Sequence, residues 1–203
     1  MKTATILPLA LASLISISAH ASVLPQTFLS FSSDPGDSIG QGHSYFFTPP
    51  SGHLVVNTSP TPISSISFFY DPGLGFPWSG GFFSSGRPGT ALTVGQYNNA
   101  QWNGSSSNGE PGLNLYVENR GSNHTSGSFH IYDLTFNALG LVNSLAATFE
   151  QHSDGSAGAL HGALWVNSLA TVPVSVPEPA SYTLLLAGLA LLSTVARKGD
   201  VSD

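Results

Sequence analysis

The sequence of 203 residues contains no cysteine, and only 8% of its residues are charged. The absence of cysteine excludes a disulfide framework and a thiolate metal site. Nine acidic and two basic side chains lie between residues 22 and 179, a formal net charge of −7. Such a balance repels polyanions, so nucleic-acid binding is excluded. The surface must be made polar by uncharged residues, which suits an extracellular module among neutral polysaccharides and equally suits an inert one.

Helical periodicity is also missing between the two ends of the chain. Short β-prone runs separated by Gly and Pro turns fill this region instead, and their number and spacing predict an antiparallel β-sandwich, jelly-roll-like or Ig-like, over residues 22–168. One hairpin is expected across residues 137–140, which end in Gly. The predicted strands are 44–48, 53–58, 63–70, 90–94, 113–118, 128–136, 141–151 and 160–167.

The N-terminal residues 1–21 have the features of a signal peptide. Lys2 precedes an apolar run over residues 6–17, and Ala19 and Ala21 satisfy the small-x-small rule for cleavage by signal peptidase. The apolar run is too short to span a membrane comfortably, which argues against the alternative of an N-terminal anchor. We therefore predict export, with cleavage after Ala21.

The C-terminal end begins with a Pro-rich linker, residues 169–179, and continues with an uncharged apolar run, residues 180–196. As a helix the run would be about 25 Å long, the short end of a membrane span. Arg197 and Lys198 follow it as a basic stop and place residues 197–203 in the cytoplasm by the positive-inside tendency. We predict an N-terminal signal helix and a C-terminal transmembrane helix on either side of the β domain.

The last residues of the linker are Val176, Pro177, Glu178 and Pro179. With the apolar run and the basic stop, they resemble the PEP-CTERM sorting signal of Gram-negative bacteria. The resemblance implies that exosortase cuts near the motif, after a membrane-anchored stage, and that the protein reaches the cell surface or extracellular matrix. The chain departs from the pattern in its two-residue basic cluster and its five further residues. The alternative is a plain single-pass anchor with a Pro-rich linker.

A second resemblance covers residues 33–40, 119–129, 147–155 and 159–162, which are similar to a secreted bacterial β-domain. The resemblance implies a fold and no activity. Two cysteines of that family correspond to Ser122 and Ser153 here. If those cysteines form a disulfide, the resemblance implies that the loop at Ser122 lies beside the turn at Ser153.

The densest polar cluster of the sequence lies in the same two segments. Carboxylate, amide and imidazole groups bind hydroxyls and divalent ions, so the cluster could hold a sugar or a metal. We favour the simpler interpretation, in which Arg120 pairs with Glu150 or Asp154 and fastens two loops, with no metal and no cofactor. The candidate ligand-binding residues are Trp102, Arg120, His124, Glu150, His152 and Asp154.

Aromatic residues offer a second type of candidate site. Trp78 and Trp102 lie in Gly-, Ser- and Asn-rich segments, where exposed rings could stack on sugars, whereas the Phe pairs are expected in the core. We interpret the whole as an exported, non-enzymatic structural or adhesive component of the cell surface or exopolysaccharide matrix, that is, of a biofilm. The alternatives are a carbohydrate-binding, lectin-like module and a matrix glycosidase, since carboxylate spacing across strands is not visible in a sequence.

Overall fold

The computed structural model describes residues 24–73, 77–87, 89–102, 109–153 and 155–171. Within these ranges the chain forms ten β-strands and no helix, which confirms the all-β class. The strands are β1 (Gln26–Ser33), β2 (Ser44–Phe47), β3 (His53–Thr58), β4 (Ser65–Asp71), β5 (Ser79–Ser84), β6 (Gly95–Gln101), β7 (Gly112–Tyr116), β8 (Thr125–Phe136), β9 (Val142–Ser153) and β10 (Ala159–Ser168).

All ten strands belong to one sheet, in the order β2-β1-β10-β9-β8-β6-β7-β5-β4-β3. Neighbouring strands are antiparallel except β6 and β7, which run parallel and pair at Gln101 and Gly112. The predicted two-sheet sandwich is therefore not confirmed, because hydrogen bonding continues from one half of the sheet to the other through β6 and β7. A sequence predicts where strands lie better than it predicts which strand edges join, since pairing is decided by distant residues.

The sheet curls into a half-barrel whose inner face forms the core. The ring of Phe68 in β4 stacks on that of Phe149 in β9, with centroids 5.4 Å apart, although four strands separate β4 from β9 in the sheet. Phe83 in β5 lies 5.4 Å from Phe149 and 5.1 Å from Phe129 in β8. The four rings join the two halves of the sheet across the interior.

Two inward-pointing side chains supply hydrogen bonds where β6 and β7 separate. The N–H of Leu115 in β7 donates to Oε1 of Gln151 (2.6 Å), and Nε2 of Gln151 donates to the carbonyl of Leu115 (3.3 Å). The hydroxyl of Thr125 donates to the carbonyl of Leu113 (2.9 Å). These bonds satisfy backbone groups that would otherwise be buried without a partner.

The predicted hairpin is confirmed. Strands β8 and β9 pair over almost their whole length, and residues 137–141 connect them, one residue more than predicted. The side-chain oxygen of Asn137 accepts bonds from the N–H groups of Leu139 (2.9 Å) and Leu141 (3.1 Å), and Gly140 adopts a φ of +75°. Asn caps this turn because its side chain mimics a backbone acceptor, and Gly adopts a positive φ without steric cost.

Three strands, β1, β5 and β6, were not predicted, and the predicted strand 90–94 does not form. In β5, a Cβ at Gly81 would lie 2.6 Å from the Leu115 side chain and 2.8 Å from the Phe68 ring, so close packing requires glycine inside a strand. Within 90–94, the N–H of Leu92 donates to the carbonyl of Ile63 (2.8 Å), but no ladder follows in the described residues. A strand whose residues have low β-propensity forms because its neighbours in the sheet pair with it, so composition alone does not predict it.

Since the described residues form no helix, they contain none that could span a membrane. The predicted signal peptide, residues 1–21, and the predicted span, residues 180–196, lie outside these residues, as do the sorting motif and the basic stop. The domain boundaries stay predictions.

Candidate functional site

The outer face of strands β2, β1, β10, β9 and β8 carries the most distinctive surface of the described residues. Side chains alternate between the two faces of a strand, and the inner face holds Leu29, Ala147 and Leu164. On the outer face, Ser30 pairs with Ala163, which pairs with Thr148, so three adjacent strands present small side chains in one row. This row is the floor of a shallow depression, here called the outer groove.

Aromatic rings border one side of the outer groove. Phe28 and Trp165 stack with centroids 5.1 Å apart and planes 4° apart. Phe28 also stacks on Phe46, which is 68% exposed, whereas Trp165 is 1% exposed. The indole Nε1–H donates to the carbonyl of Ala170 (3.0 Å), so the chain folds back over Trp165 after β10. The result is a wall of rings across three strands, open at its Phe46 end.

The groove encloses two adjoining cavities that share Ser30 and Ala163 as floor. One has a volume of about 350 Å³ and lies between the aromatic wall, Thr148 and residues 169–171. The other, about 400 Å³, lies between Phe46 and the polar side of the groove. Volumes of this size are typical of sites for small molecules or short segments of a polymer.

The polar side of the groove is a chain of carboxylate and imidazole groups. The carboxylate of Glu150 contacts Nε2 of His152 through Oε1 (3.1 Å) and Nδ1 of His161 through Oε2 (3.9 Å). Nε2 of His161 in turn lies 3.4 Å from Oδ2 of Asp34. These side chains are each about half exposed, so water and dissolved ligands have access to them.

Asp34 joins this chain from the turn after β1. The N–H of Ala159 donates to its carboxylate (3.2 Å). This hydrogen bond and that of His161 hold the pKa of Asp34 below its ordinary value of 3.8, since both favour the charged form.

Within the described residues, no group of three or more His, Asp or Glu side chains has an arrangement that could hold a metal ion.

The predicted polar cluster is only partly assembled. Glu150 and His152 lie together as expected, but Arg120 lies elsewhere: its Nε donates to the carbonyl of Ile39 (2.7 Å), and its Nη2 contacts Tyr45 Oη and Glu118 Oε2, both at 3.0 Å. The expected pairing of Arg120 with Glu150 is replaced by one with Glu118, two residues before it in the chain. Asp154 lies outside the described residues.

Trp102 and His124 lie where β6 ends and β8 begins. The N–H of Trp102 donates to the carbonyl of Thr125 (3.2 Å), and the indole is 40% exposed. The carbonyl of His124 accepts from the hydroxyl of Ser122 (2.8 Å). Thr125 pairs with Ser153 in β9, so the segment at Ser122 leads into the strand that lies beside Ser153. The family resemblance likewise implies that these two segments are neighbours.

The aromatic candidates lie on two different faces of the sheet, because side chains alternate along a strand. Phe68 and Phe83 are buried, as expected, while the other member of each pair, Phe69 or Phe82, points outward. Trp78, 50% exposed, stacks on Phe69 with centroids 5.5 Å apart. An outer-face ring that is stacked on its neighbour still offers its second face or its edge to solvent.

The candidates taken from the sequence did not include the residues that shape the outer groove, namely Phe28, Ser30, Thr148 and Trp165, nor Asp34 beside it. The alternation of β10 placed His161, Ala163 and Trp165 on one face, which was a usable signal. The pairing of His161 with Glu150 was not visible, because it depends on the register of two strands.

Sequence reasoning also overlooked a Gly-x-Ser-x-Gly pattern at residues 36–40. A nucleophile of that type sits between a strand and a helix, beside an imidazole base. Here Ser38 follows β1 but precedes turns and β2, and its Oγ accepts a hydrogen bond from Ser156 Oγ (2.9 Å). The carboxylate of Asp37 is buried and accepts from the N–H groups of Ile39 (3.2 Å) and Gly40 (2.7 Å). The pattern therefore describes a tight turn.

Comparison with known proteins identifies the C-terminal segment. The family model of the PEP-CTERM protein-sorting motif matches residues 175–198, which confirms the predicted sorting signal. The motif supports an exported, exosortase-processed protein with a membrane-anchored precursor. No curated protein and no solved structure matches the chain.

Proposed function

We propose that this protein is a non-enzymatic structural or adhesive component of the cell surface or exopolysaccharide matrix of a Gram-negative bacterium. The observation that carries the proposal is the PEP-CTERM match at residues 175–198. A chain with this signal is delivered outside the cytoplasm, so its β domain acts where polysaccharide and other surface proteins are its neighbours. Exopolysaccharide is the partner we propose for it.

Processing follows from the two ends of the sequence. Signal peptidase removes residues 1–21, and the apolar run 180–196 holds the exported precursor in the membrane. Exosortase then acts at the motif, whose two prolines, Pro177 and Pro179, are residues that disfavour a helix. Thr171 in the linker is the last described residue, so four residues, 172–175, separate it from the motif at Val176. When extended, the chain from Thr171 to Val176 spans at most about 17 to 18 Å.

The composition of the domain supports a passive role outside the cell. A chain without cysteine does not depend on the redox state of its surroundings. Few surface charges make its interactions with a matrix weakly dependent on salt. Its core is instead held by apolar packing, including the ring cluster of Phe68, Phe83, Phe129 and Phe149.

Deletion of the exosortase gene in the native host tests the proposal. We expect the shortened form to disappear from the cell surface and medium, and a precursor containing residues 180–198 to accumulate in the membrane fraction. A matched pair of variants localises the effect: Pro177→Ala changes the motif, and Pro173→Ala changes a linker proline outside it. Only the first should slow processing, measured by mass spectrometry of the C-terminal peptide.

Two results would contradict the proposal. One is secreted protein that still carries residues 184–198 in a host with an active exosortase. The other is a cell surface and matrix whose cohesion and protein content are unchanged by deletion of the gene for this chain, because a structural or adhesive component must affect at least one of them.

A further inference from the structure

We propose that the outer groove binds a neutral polysaccharide chain, with Ser30, Ala163 and Thr148 as its floor. The inference rests on the proposed function for its setting, since an exported protein meets polysaccharide. It goes further by naming the site, the residues and the chemical class of the ligand.

The shape of the groove fits an elongated ligand. Paired residues in a row lie about 4.8 Å apart across strands, and successive rows on one face lie about 7 Å apart along them. The floor row continues from Phe46 in β2 through Ser30, Ala163 and Thr148 to His130 in β8. Five strands in one row make a track of about 20 Å. A polymer lying across the strands meets small side chains in the middle and rings at both ends.

The aromatic wall is placed for contact with a sugar ring. The Phe46 ring, 68% exposed, is held in place by stacking on Phe28. Phe28 in turn stacks on Trp165, which the chain segment at Ala170 covers. A ring fixed in this way loses little conformational entropy on binding, and its free face suits the apolar C–H face of a pyranose.

Hydrogen-bonding groups line the opposite side. Ser32 pairs with His161, and His161 pairs with Glu150, so hydroxyl, imidazole and carboxylate groups form the next row on the same face. These groups donate and accept hydrogen bonds with sugar hydroxyls. A wall of rings on one side and a row of polar groups on the other matches the two-sided chemistry of a sugar, which has apolar faces and a polar rim.

Charge decides which class of polymer fits. Of the described residues that line the two cavities, none is Lys or Arg. Glu150 and Asp34 stand beside the groove instead, and their carboxylates repel an anionic chain. Uronate-rich polysaccharides, nucleic acids and anionic lipid surfaces are therefore disfavoured relative to a neutral polysaccharide. A peptide is the remaining candidate occupant, and competition with excess peptide distinguishes it from a polysaccharide.

Native gel electrophoresis of the full-length chain in non-ionic detergent tests the assignment. The gels contain dextran, galactomannan, the neutral polysaccharide fraction of the host matrix, or alginate as an anionic comparison. We expect retardation by at least one neutral polymer and none by alginate. Phe46→Ala should raise the dissociation constant roughly fivefold or more, and Ala163→Trp, which fills the floor, should abolish retardation.

Trp78→Ala is the matched control, because Trp78 is a half-exposed ring stacked on Phe69 in the other half of the sheet. It should leave the dissociation constant within about twofold. Thermal unfolding shows whether each variant is folded. If Ala163→Trp does not fold, Phe46→Ala still tests the groove. Phe46 is exposed, so its truncation should leave the core intact.

The groove assignment is overturned if no neutral polymer retards the full-length chain, or if Trp78→Ala weakens retardation as much as Phe46→Ala. It is also overturned if excess peptide from a digest of host surface proteins, and not excess oligosaccharide, displaces the polymer. None of these results affects processing by exosortase, so failure of the groove is distinguishable from failure of the proposed function.

Discussion

The side-chain amide of Gln151 in β9 is hydrogen-bonded to both backbone polar groups of Leu115 in β7: Oε1 accepts from the N–H at 2.6 Å, and Nε2 donates to the carbonyl at 3.3 Å. Both residues are fully buried. Gln151 thus takes the place of a neighbouring strand where β6 and β7 pair at a single position. A polar side chain inside the core thereby holds the two halves of the curled sheet in register.

Replacement of Gln151 by Leu should destabilise the fold by about 2 to 4 kcal/mol. The new side chain is apolar and similar in size, but it leaves the N–H and carbonyl of Leu115 buried without partners. Urea unfolding followed by circular dichroism measures the change. Gln96→Leu is the control, since Gln96 is exposed on β6, and it should change stability by less than about 0.5 kcal/mol. Equal effects of the two changes would refute the role assigned to Gln151.

Two buried serines should respond differently to loss of their hydroxyl. Ser33 Oγ donates to Asp37 (2.8 Å) and accepts from the N–H of Gly42 (2.9 Å), whereas Ser153 Oγ finds no hydrogen-bond partner among the described residues. Ser33→Ala should therefore cost about 1 to 3 kcal/mol, and Ser153→Ala should be neutral or slightly stabilising. Chemical unfolding of both variants under one condition gives the comparison, and a larger loss for Ser153→Ala would contradict it.

Asp34 should make folding stability depend on pH in the acid range. Its pKa is lower in the folded protein than in the unfolded chain, because the N–H of Ala159 and then His161 favour the carboxylate. A depressed folded pKa gives stability that is complete above the unfolded value, near 3.8, and is lost as the pH falls through the folded value.

Thermal unfolding between about pH 2 and 7 checks this prediction against an Asp34→Asn variant. The difference in Tm between the two proteins should be constant near neutrality and should shrink below pH 3.8. Asp71→Asn serves as the comparison, because Asp71 accepts a hydrogen bond from the exposed N–H of Gly73 (2.9 Å) at the end of β4. A Tm difference for Asp34→Asn that grows on acidification would contradict the assigned direction.

Local chemistry explains which predictions are confirmed. The hairpin between β8 and β9 was predictable because its signal, two β-prone runs on either side of a turn that contains Gly140, lies within about 25 consecutive residues. Strand β5 was not predictable, because glycine disfavours strands and Gly80 and Gly81 are explained only by the close approach of β4 and β7, which leaves no room for a Cβ. The candidate site shows the same division, since Glu150 and His152 are close in sequence and Asp34 is not.

The sorting signal at residues 175–198 and the β character of the domain are encoded in neighbouring residues: an uncharged run beside a Pro-Glu-Pro motif, and short strands between turns. The single curled sheet and the row that Ser30, Ala163 and Thr148 share depend instead on tertiary packing. Ser30 and Ala163 are far apart in the chain, and their pairing depends on strand register, which packing of the whole core selects.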